Sequence, residues 1–275
     1  MTSKSRSKRP TLQGGNRELL DAVGVLLTQA RSALFITGPG VSSESGLSHY
    51  RGIAGLRRTK PEDAKLFEAA LSIDMLRRRP EMTWKYLLRM EEQVRAAAPN
   101  RTHEVLVKLE REIKRTTIMT INVDRLHQKA GSRNVIEMHG ALFDLLCPTC
   151  ELSTRHETFD KLDMPPKCKT CGAQLRPDMP LFGEALPRDP FTRLEQELEE
   201  GFDIVFAIGA PTMFPYLARP VLLARAAGIP TVEIGPQPSE ISDIVDFRFK
   251  ASTQSVMGAI WDVYKALGPR RTRPS

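Results

Sequence analysis

The four cysteines of the chain form two pairs, Cys147 with Cys150 and Cys168 with Cys171. The spacing Cys-x2-Cys-x17-Cys-x2-Cys brings four thiolates around one zinc ion, as in zinc ribbons. Two disulfides are the alternative, but residues 1–10 lack the apolar core of an export signal, and we expect the chain to stay among cellular reductants. Four sulfur ligands leave no open position for water, so the predicted zinc, one per chain, is structural.

A turn rich in glycine and serine follows the apolar run Ala33–Ile36. Its sequence begins Gly38–Pro39–Gly40–Val41–Ser42. Glycines let a backbone approach a phosphate, and backbone N–H groups with serine hydroxyls hold the negative charge. The turn alone is a weak indication, because it lacks the spacing of the Gly-x-Gly-x-x-Gly fingerprint and a turn without a ligand has the same composition.

Two more polar stretches follow predicted strands. Asn122 and Asp124 come after one apolar run, and His139 with Gly140 comes after the next. Polar groups at the carboxyl ends of parallel strands face a common cleft. Taken singly, each fits a structural role, the first two as turn-forming residues and His139 as a hydrogen-bonded histidine. Their order along the chain is what indicates a site.

Short apolar runs alternate with helical stretches along most of the chain. This alternation predicts an α/β fold with a doubly wound, Rossmann-like parallel sheet. Residues 52–101 are charged and helical in pattern, and residues 141–187 hold the cysteines; both interrupt the alternation. We expect them to form a small second lobe, a zinc ribbon plus helices. The Rossmann-like domain then consists of residues 11–51, 102–140 and 188–267.

The positive charge lies at the two ends of the chain. The formal net charge is +7, and residues 1–10 and 268–275 hold four and three cations with no acid. These ends are expected to be disordered basic tails with at most a weak, salt-dependent attraction to nucleic acid. No stretch is long and apolar enough to span a membrane. We therefore expect a cytoplasmic protein with no membrane partner.

The combination of motifs resembles the sirtuin family of NAD-dependent protein lysine deacylases. The chain has Gly-Pro-Gly-Val-Ser-Ser-Glu-Ser-Gly-Leu-Ser-His-Tyr-Arg at Gly38–Arg51 and Thr-Ile-Asn-Val-Asp-Arg-Leu-His-Gln-Lys-Ala-Gly at Thr120–Gly131. His139–Gly140 then precedes the two cysteine pairs. The resemblance covers roughly residues 17–267 and implies NAD as the cofactor. Acylated lysine side chains of proteins are the implied partners.

The resemblance also implies roles for single residues. Gly38, Gly40 and Ser42 would cradle the pyrophosphate of NAD, and Arg51 would close the loop over it. The remaining implied cofactor contacts are Asn122 and Asp124, in the nicotinamide pocket, and Gly209, which opens the stretch that stands in place of the family's Gly-Thr-Ser.

Catalysis is implied for His139 and Asn122. His139 would act as general base on a ribose hydroxyl, a task that suits an imidazole with an ordinary pKa of about 6.5. The substrate peptide would lie along Phe182–Gly183–Glu184 by strand addition. The implied products are free lysine, nicotinamide and O-acyl-ADP-ribose.

Tyr86 and Arg89 resemble the Tyr-x-x-Arg of bacterial-type sirtuins that remove succinyl and malonyl groups. Residues three apart share one helix face, so both side chains could reach a distal carboxylate. The alternative is a half-buried tyrosine beside a solvated arginine on an amphipathic helix. The sequence leaves both interpretations open.

Several departures from the family's pattern fall on the cofactor side. Pro39 and Ile121 replace alanine and glutamine, and Ser48 replaces proline; farther on, Ala210–Pro211 and Gly235 remove hydroxyl and amide groups. Each lost hydrogen bond costs about 1 kcal/mol. Two other functions therefore stay open: ADP-ribosyl transfer or NAD hydrolysis, and a non-catalytic module that binds NAD or acyl-lysine.

Overall fold

The computed structural model describes residues 12–13, 17–47 and 61–268. Arg51 and Ser48 lie outside these ranges, as do the two predicted basic tails apart from Gly268. The described residues form strands β1 (Leu12–Gln13), β2 (Ser32–Thr37), β3 (Arg115–Thr120), β4 (Val135–Glu137), β5 (Ala141–Leu146), β6 (Ser153–Arg155), β7 (Arg176–Asp178), β8 (Ile204–Ile208), β9 (Thr231–Ile234) and β10 (Phe247–Phe249).

Ten helices occur in the same residues. They are α1 (Arg17–Gln29), α2 (Pro39–Ser43), α3 (Pro61–Ala70), α4 (Ile73–Arg78), α5 (Pro80–Ala96), α6 (Arg101–Glu112), α7 (Leu126–Ala130), α8 (Arg188–Glu200), α9 (Pro215–Ala227) and α10 (Thr253–Leu267). None of these helices combines the length and apolar character needed to cross a membrane.

Seven strands form one parallel sheet in the order β1-β10-β9-β8-β2-β3-β4. Side chains alternate between its two faces. On β2, Ala33 and Phe35 pack with α1, α6 and α10, whereas Leu34 and Ile36 pack with α8 and α9. This period of two, with both faces covered by helices, explains why the central strands β2 and β8 carry apolar residues on both faces. The predicted doubly wound sheet is confirmed.

The two segments that interrupt the alternation share a third core. Trp84 and Leu87 of α5 pack in the same cluster as Leu145 of β5 and Phe159 of the cysteine-containing segment. Trp84 meets Phe159 edge to face, with ring centroids 5.7 Å apart. Strands β6-β5-β7 form a separate antiparallel sheet beside this cluster. The exact boundaries of the two lobes stay a prediction.

The four cysteines converge at one end of the small sheet. Their sulfur atoms lie within 4.8 Å of one another, and the cysteines are free thiols, so the alternative disulfides are not formed. The Cys147–Cys171 and Cys150–Cys168 sulfur pairs are 3.5 and 3.6 Å apart. Zinc–sulfur bonds of about 2.3 Å place tetrahedral ligands about 3.8 Å apart. The cluster therefore fits one structural zinc ion.

Cys168→Ser should release this zinc and loosen the small lobe. Metal analysis of the wild type is expected to give one zinc per chain, and the variant should retain much less. Because a structural site supplies folding free energy, the midpoint of thermal unfolding should fall by roughly 5 °C or more. Thr149→Ser is the control, because it changes a residue that lies between two zinc ligands in the sequence and removes no thiol. An unchanged zinc content in Cys168→Ser would contradict the site.

Candidate active site

The candidate site lies at the carboxyl edge of the parallel sheet. Strand β2 has β3 on one side and β8 on the other, and the chain leaves β2 and β8 in opposite directions along the sheet. Such a switch point opens a crevice where nucleotides bind in doubly wound folds. The loops that follow β2 and β8 meet there.

Glycine is required where these two loops meet, because the backbone of one loop lies directly against the backbone of the other. Gly40 N donates to Gly209 O over 2.9 Å, and a Cβ on Gly40 would lie 2.6 Å from Gly209 Cα. A Cβ on Gly38 would lie 2.7 Å from Ala210 Cα. The sequence predicts that these glycines let a phosphate approach the backbone. In the structure, they first permit the two loops to pack against each other.

Three buried polar side chains link the end of β3 to the glycine loop. Asn122 Nδ2 donates to Gly38 O over 3.0 Å and to Ser42 Oγ over 2.9 Å. Ser42 Oγ in turn donates to Asp124 Oδ2 over 2.5 Å. The second oxygen of Asp124 accepts from Leu126 N at the start of α7. The predicted cofactor residues Ser42, Asn122 and Asp124 thus form one hydrogen-bonded unit.

The carboxyl group of Asp124 is fully enclosed by the protein. Burial raises its pKa, although the hydrogen bonds from Ser42 and Leu126 N partly oppose this effect. Neutral donors stabilise a buried carboxylate less than a cation does. The ionised form of Asp124 therefore costs stability, and such buried carboxyl groups are common at functional sites.

His139 and Asn122 line the same cleft, which has a volume of about 270 Å³. His139 follows β4, and the next residue, Gly140, has φ +60°. A Cβ on Gly140 would lie 2.0 Å from Asp178 O, so only glycine fits beside the histidine. Burial lowers the pKa of His139 to about 4. Its imidazole is therefore neutral near pH 7 and is available as a base.

The predicted peptide-binding residues also line the cleft. Phe182 pairs with the start of α4, accepting from Ile73 N over 3.1 Å and donating to Leu71 O over 3.0 Å. The Glu184 carboxylate accepts from both terminal nitrogens of Arg176 at 2.5 Å and from Leu181 N. These bonds lower the pKa of Glu184. Glu184 therefore fixes the shape of this segment.

Tyr86 and Arg89 contact each other outside the cleft. The Arg89 guanidinium lies 5.6 Å from the centre of the Tyr86 ring, and Arg89 is exposed whereas Tyr86 is half-buried. Among the residues that the structure describes, α3 and α5 contribute Phe67 and Met90 to the cleft wall, and neither Tyr86 nor Arg89. Whether Tyr86 and Arg89 bind a distal carboxylate stays a prediction.

Two residues that the sequence analysis missed support the site. Asn100 caps α6 by accepting from Thr102 N, and its Nδ2 also donates to Val41 O and Ser45 Oγ in the glycine loop. An asparagine before an amphipathic stretch is a helix-start signal that could have revealed this cap. Tyr216, whose hydroxyl lies 2.7 Å from His139 Nε2, has no comparable local signal.

Comparisons with known proteins agree with this geometry. The model of the Sir2 family matches residues 38–213. The chain belongs to this family. NAD-dependent protein deacylase 2 of Pseudomonas aeruginosa is 38% identical over 238 residues, covering 86% of the chain and 93% of that protein. The NAD-dependent protein deacylase of Aquifex aeolicus is 32% identical over 228 residues, covering 82% and 92%.

Solved Sir2 structures share the whole architecture. A Sir2 homologue in complex with NAD is 32% identical, with a TM-score of 0.81 over 94% of this chain and 98% of that one. Sir2Af2 bound to a myristoylated histone peptide is 25% identical, with a TM-score of 0.72 over 92% and 98%. The predicted resemblance to sirtuins is confirmed. The roles of the individual site residues stay predictions.

The stability of Asp124→Asn relative to the wild type should rise with pH, because only the wild type has a buried carboxyl that must ionise. A carboxyl whose pKa is raised by folding binds more protons in the folded chain, so its contribution to stability falls as the pH rises above about 4. The side chain of asparagine does not titrate, so its contribution to stability does not fall as the pH rises. Thermal unfolding between about pH 4 and pH 8 should show the variant gaining on the wild type as the pH rises. The opposite trend would contradict the buried carboxylate; Asp178→Asn is the exposed control.

Proposed function

We propose that this Sir2-family chain is an NAD-dependent protein lysine deacylase. The observation that carries the proposal is the cleft in which Asn122, His139 and the segment Phe182–Glu184 meet. One wall offers a fixed amide and a neutral imidazole, and another offers the backbone of Phe182–Glu184, which turns at Gly183. The deacylase names of the relatives support this proposal. A cytoplasmic location without membrane or nucleic-acid partners stays a prediction.

The residues of the cleft fit NAD as the cofactor. Bound NAD supplies the ribose carbon that accepts the acyl oxygen while nicotinamide leaves. Both N–H groups of the Asn122 amide are used by Gly38 O and Ser42 Oγ, so its carbonyl oxygen is the atom left for a ligand. Asn122 therefore acts toward the ligand as a hydrogen-bond acceptor of fixed direction.

His139 is the general base of the proposed reaction. Its ring is uncharged near neutral pH because burial lowers its pKa. It would take a proton from a ribose hydroxyl, which makes that oxygen a better nucleophile. The close contact at Gly140 sets the direction in which the loop presents the imidazole to the cleft.

We further propose that the acyl group is apolar. Helices α3 and α5 contribute Phe67 and Met90 to the described wall, Leu71 follows the end of α3, and the opposite segment adds Leu181 and Phe182. A succinyl or malonyl carboxylate among these groups would lose its hydration without gaining a partner. The relative bound to a myristoylated peptide has an apolar acyl group as its ligand. Acetyl and longer apolar groups are therefore favoured over acidic ones.

Nicotinamide release from NAD in the presence of acyl-lysine peptides tests the activity. Wild-type protein should release nicotinamide only with peptide, and His139→Ala should reduce turnover by about 10²-fold or more while retaining NAD binding. His156→Ala, in the zinc lobe, is the control. Peptide-independent release would favour NAD hydrolysis or ADP-ribosyl transfer. Binding without any release would favour the non-catalytic module.

Two single substitutions, one at position 89 and one at position 90, test the acyl preference. Met90→Arg places a cation at the cleft wall, so the ratio of desuccinylation to removal of apolar acyl groups should rise by about tenfold or more. Arg89→Met should leave this ratio within about twofold, since its side chain lies outside the described wall. Both ratios come from kcat/KM values on matched peptides. A selective loss of desuccinylation in Arg89→Met would show instead that Arg89 binds the carboxylate.

A further inference from the structure

Arg125 has an unusual backbone conformation beside the candidate site. It directly follows Asp124 and has φ 58° and ψ 22°, in the left-handed region that side chains disfavour. Among the residues that the structure describes, Arg125 and Glu151 are the two with a positive φ that are not glycine. Such strain persists where surrounding contacts hold the residue, and it clusters at functional sites. The side chain of Arg125 makes contacts of this kind.

The Arg125 guanidinium joins two carboxylates from different parts of the fold. Its Nε and Nη2 donate to the two oxygens of Glu137, each over 3.3 Å, and Nη2 also donates to Asp144 Oδ2 over 2.6 Å. Glu137 ends β4, whereas Asp144 lies on β5 of the small lobe. The three side chains are 15 to 19% exposed. Ion pairs shielded from water to this degree interact more strongly than surface pairs.

Glu137 lies at the base of the turn that carries His139. Gly140 N donates to Glu137 O over 3.1 Å and so closes this turn around the histidine. Arg125, for its part, ends the stretch that carries the Asn122 amide. The guanidinium therefore connects the stretch of Asn122 with the turn of His139 and ties both to the small lobe.

The two carboxylates repel each other when the cation between them is removed. Burial raises the pKa of Glu137, the charge of Arg125 opposes this effect, and the charge of Asp144 adds to it. Asp144 has a second cation, Arg155, whose Nε lies 3.0 Å from Oδ1, but the Arg155 side chain is 71% exposed. An exposed cation offsets little of the repulsion. Loss of the Arg125 guanidinium should therefore displace the turn of His139.

We infer that Arg125 is a positioning residue that fixes the turn of His139 relative to Asn122. The inference rests on the proposed function, because the separation of imidazole and amide matters only if both meet the ribose of NAD. A displacement of about 1 Å in such groups lowers turnover by up to about 10²-fold. The strained backbone of Arg125 fits this role, since its bonds to both carboxylates hold it in place.

NMR of the histidine ring signals tests the position of His139 without cofactor. The chain has five histidines, and the signals that disappear in His139→Gln are those of His139. Arg125→Gly removes the guanidinium and suits the left-handed backbone, so this variant should fold. Its His139 signals should shift from their wild-type positions. Glu151→Gly, the matched change at the other left-handed residue, should leave them unchanged.

Steady-state kinetics of nicotinamide release measure the effect on the reaction. Arg125→Gly should lower kcat by about tenfold or more. The KM for NAD should stay within about threefold, because the bonds from Asn122 to the glycine loop do not involve the guanidinium. Arg125→Lys keeps the charge without the fork of donors and should give an intermediate kcat. Glu151→Gly should change neither constant.

A second substitution separates the ion network from a general loss of packing. Asp144→Asn removes a bond to Arg125 and should lower kcat in the wild-type background. In Arg125→Gly, the same change removes the repulsion on Glu137 and should raise kcat by about threefold or more. Equal effects of Asp144→Asn in the two backgrounds would contradict the network.

Unshifted His139 signals in Arg125→Gly would overturn the inference, as would shifted signals with an unchanged kcat. If Arg125→Gly does not fold, the same two measurements on Arg125→Lys decide in its place. Absence of nicotinamide release by the wild type would instead refute the proposed function. The NMR result would still decide whether Arg125 positions His139.

Discussion

The chain of hydrogen bonds from Gly38 through Asn122 and Ser42 to Asp124 holds the site together. It joins the ends of two adjacent strands, and all three side chains are buried, so none of them has water as a replacement partner. Removing one member leaves a buried donor or acceptor unsatisfied, which costs about 1 to 3 kcal/mol. The position of the glycine loop and the direction of the Asn122 amide therefore depend on each other.

The small lobe determines the opposite wall of the cleft. The cysteine cluster anchors the β6-β5-β7 sheet, and β7 carries Arg176, which holds Glu184. Asp178 of the same strand approaches Gly140, the residue after His139. A structural metal in this cluster can thus affect the shape of the cleft from a distance, because the strand it supports contacts both the segment Phe182–Glu184 and the loop that carries His139.

The sequence was sufficient to predict the features that depend on local residue patterns or on the order of the motifs. The apolar runs predicted the parallel sheet, and the order of glycine loop, Asn122 and His139 predicted their shared cleft. Helix orientation was not predictable in this way. Tyr86 and Arg89 share a face at i, i+3 spacing, whereas the buried face of α5 carries Trp84, Leu87 and Met90, and Met90 lines the cleft. Tyr216 was missed because its partner lies far away in the sequence.

A structure of the protein with NAD and a non-hydrolysable acyl-lysine peptide would show where the ribose and the acyl chain lie. The nicotinamide-bearing ribose should lie between the Asn122 amide and the His139 imidazole. The acyl chain should lie against Phe67 and Met90. A dinucleotide bound away from the crevice where the loops after β2 and β8 meet, or a ribose out of reach of His139, would contradict the proposed function.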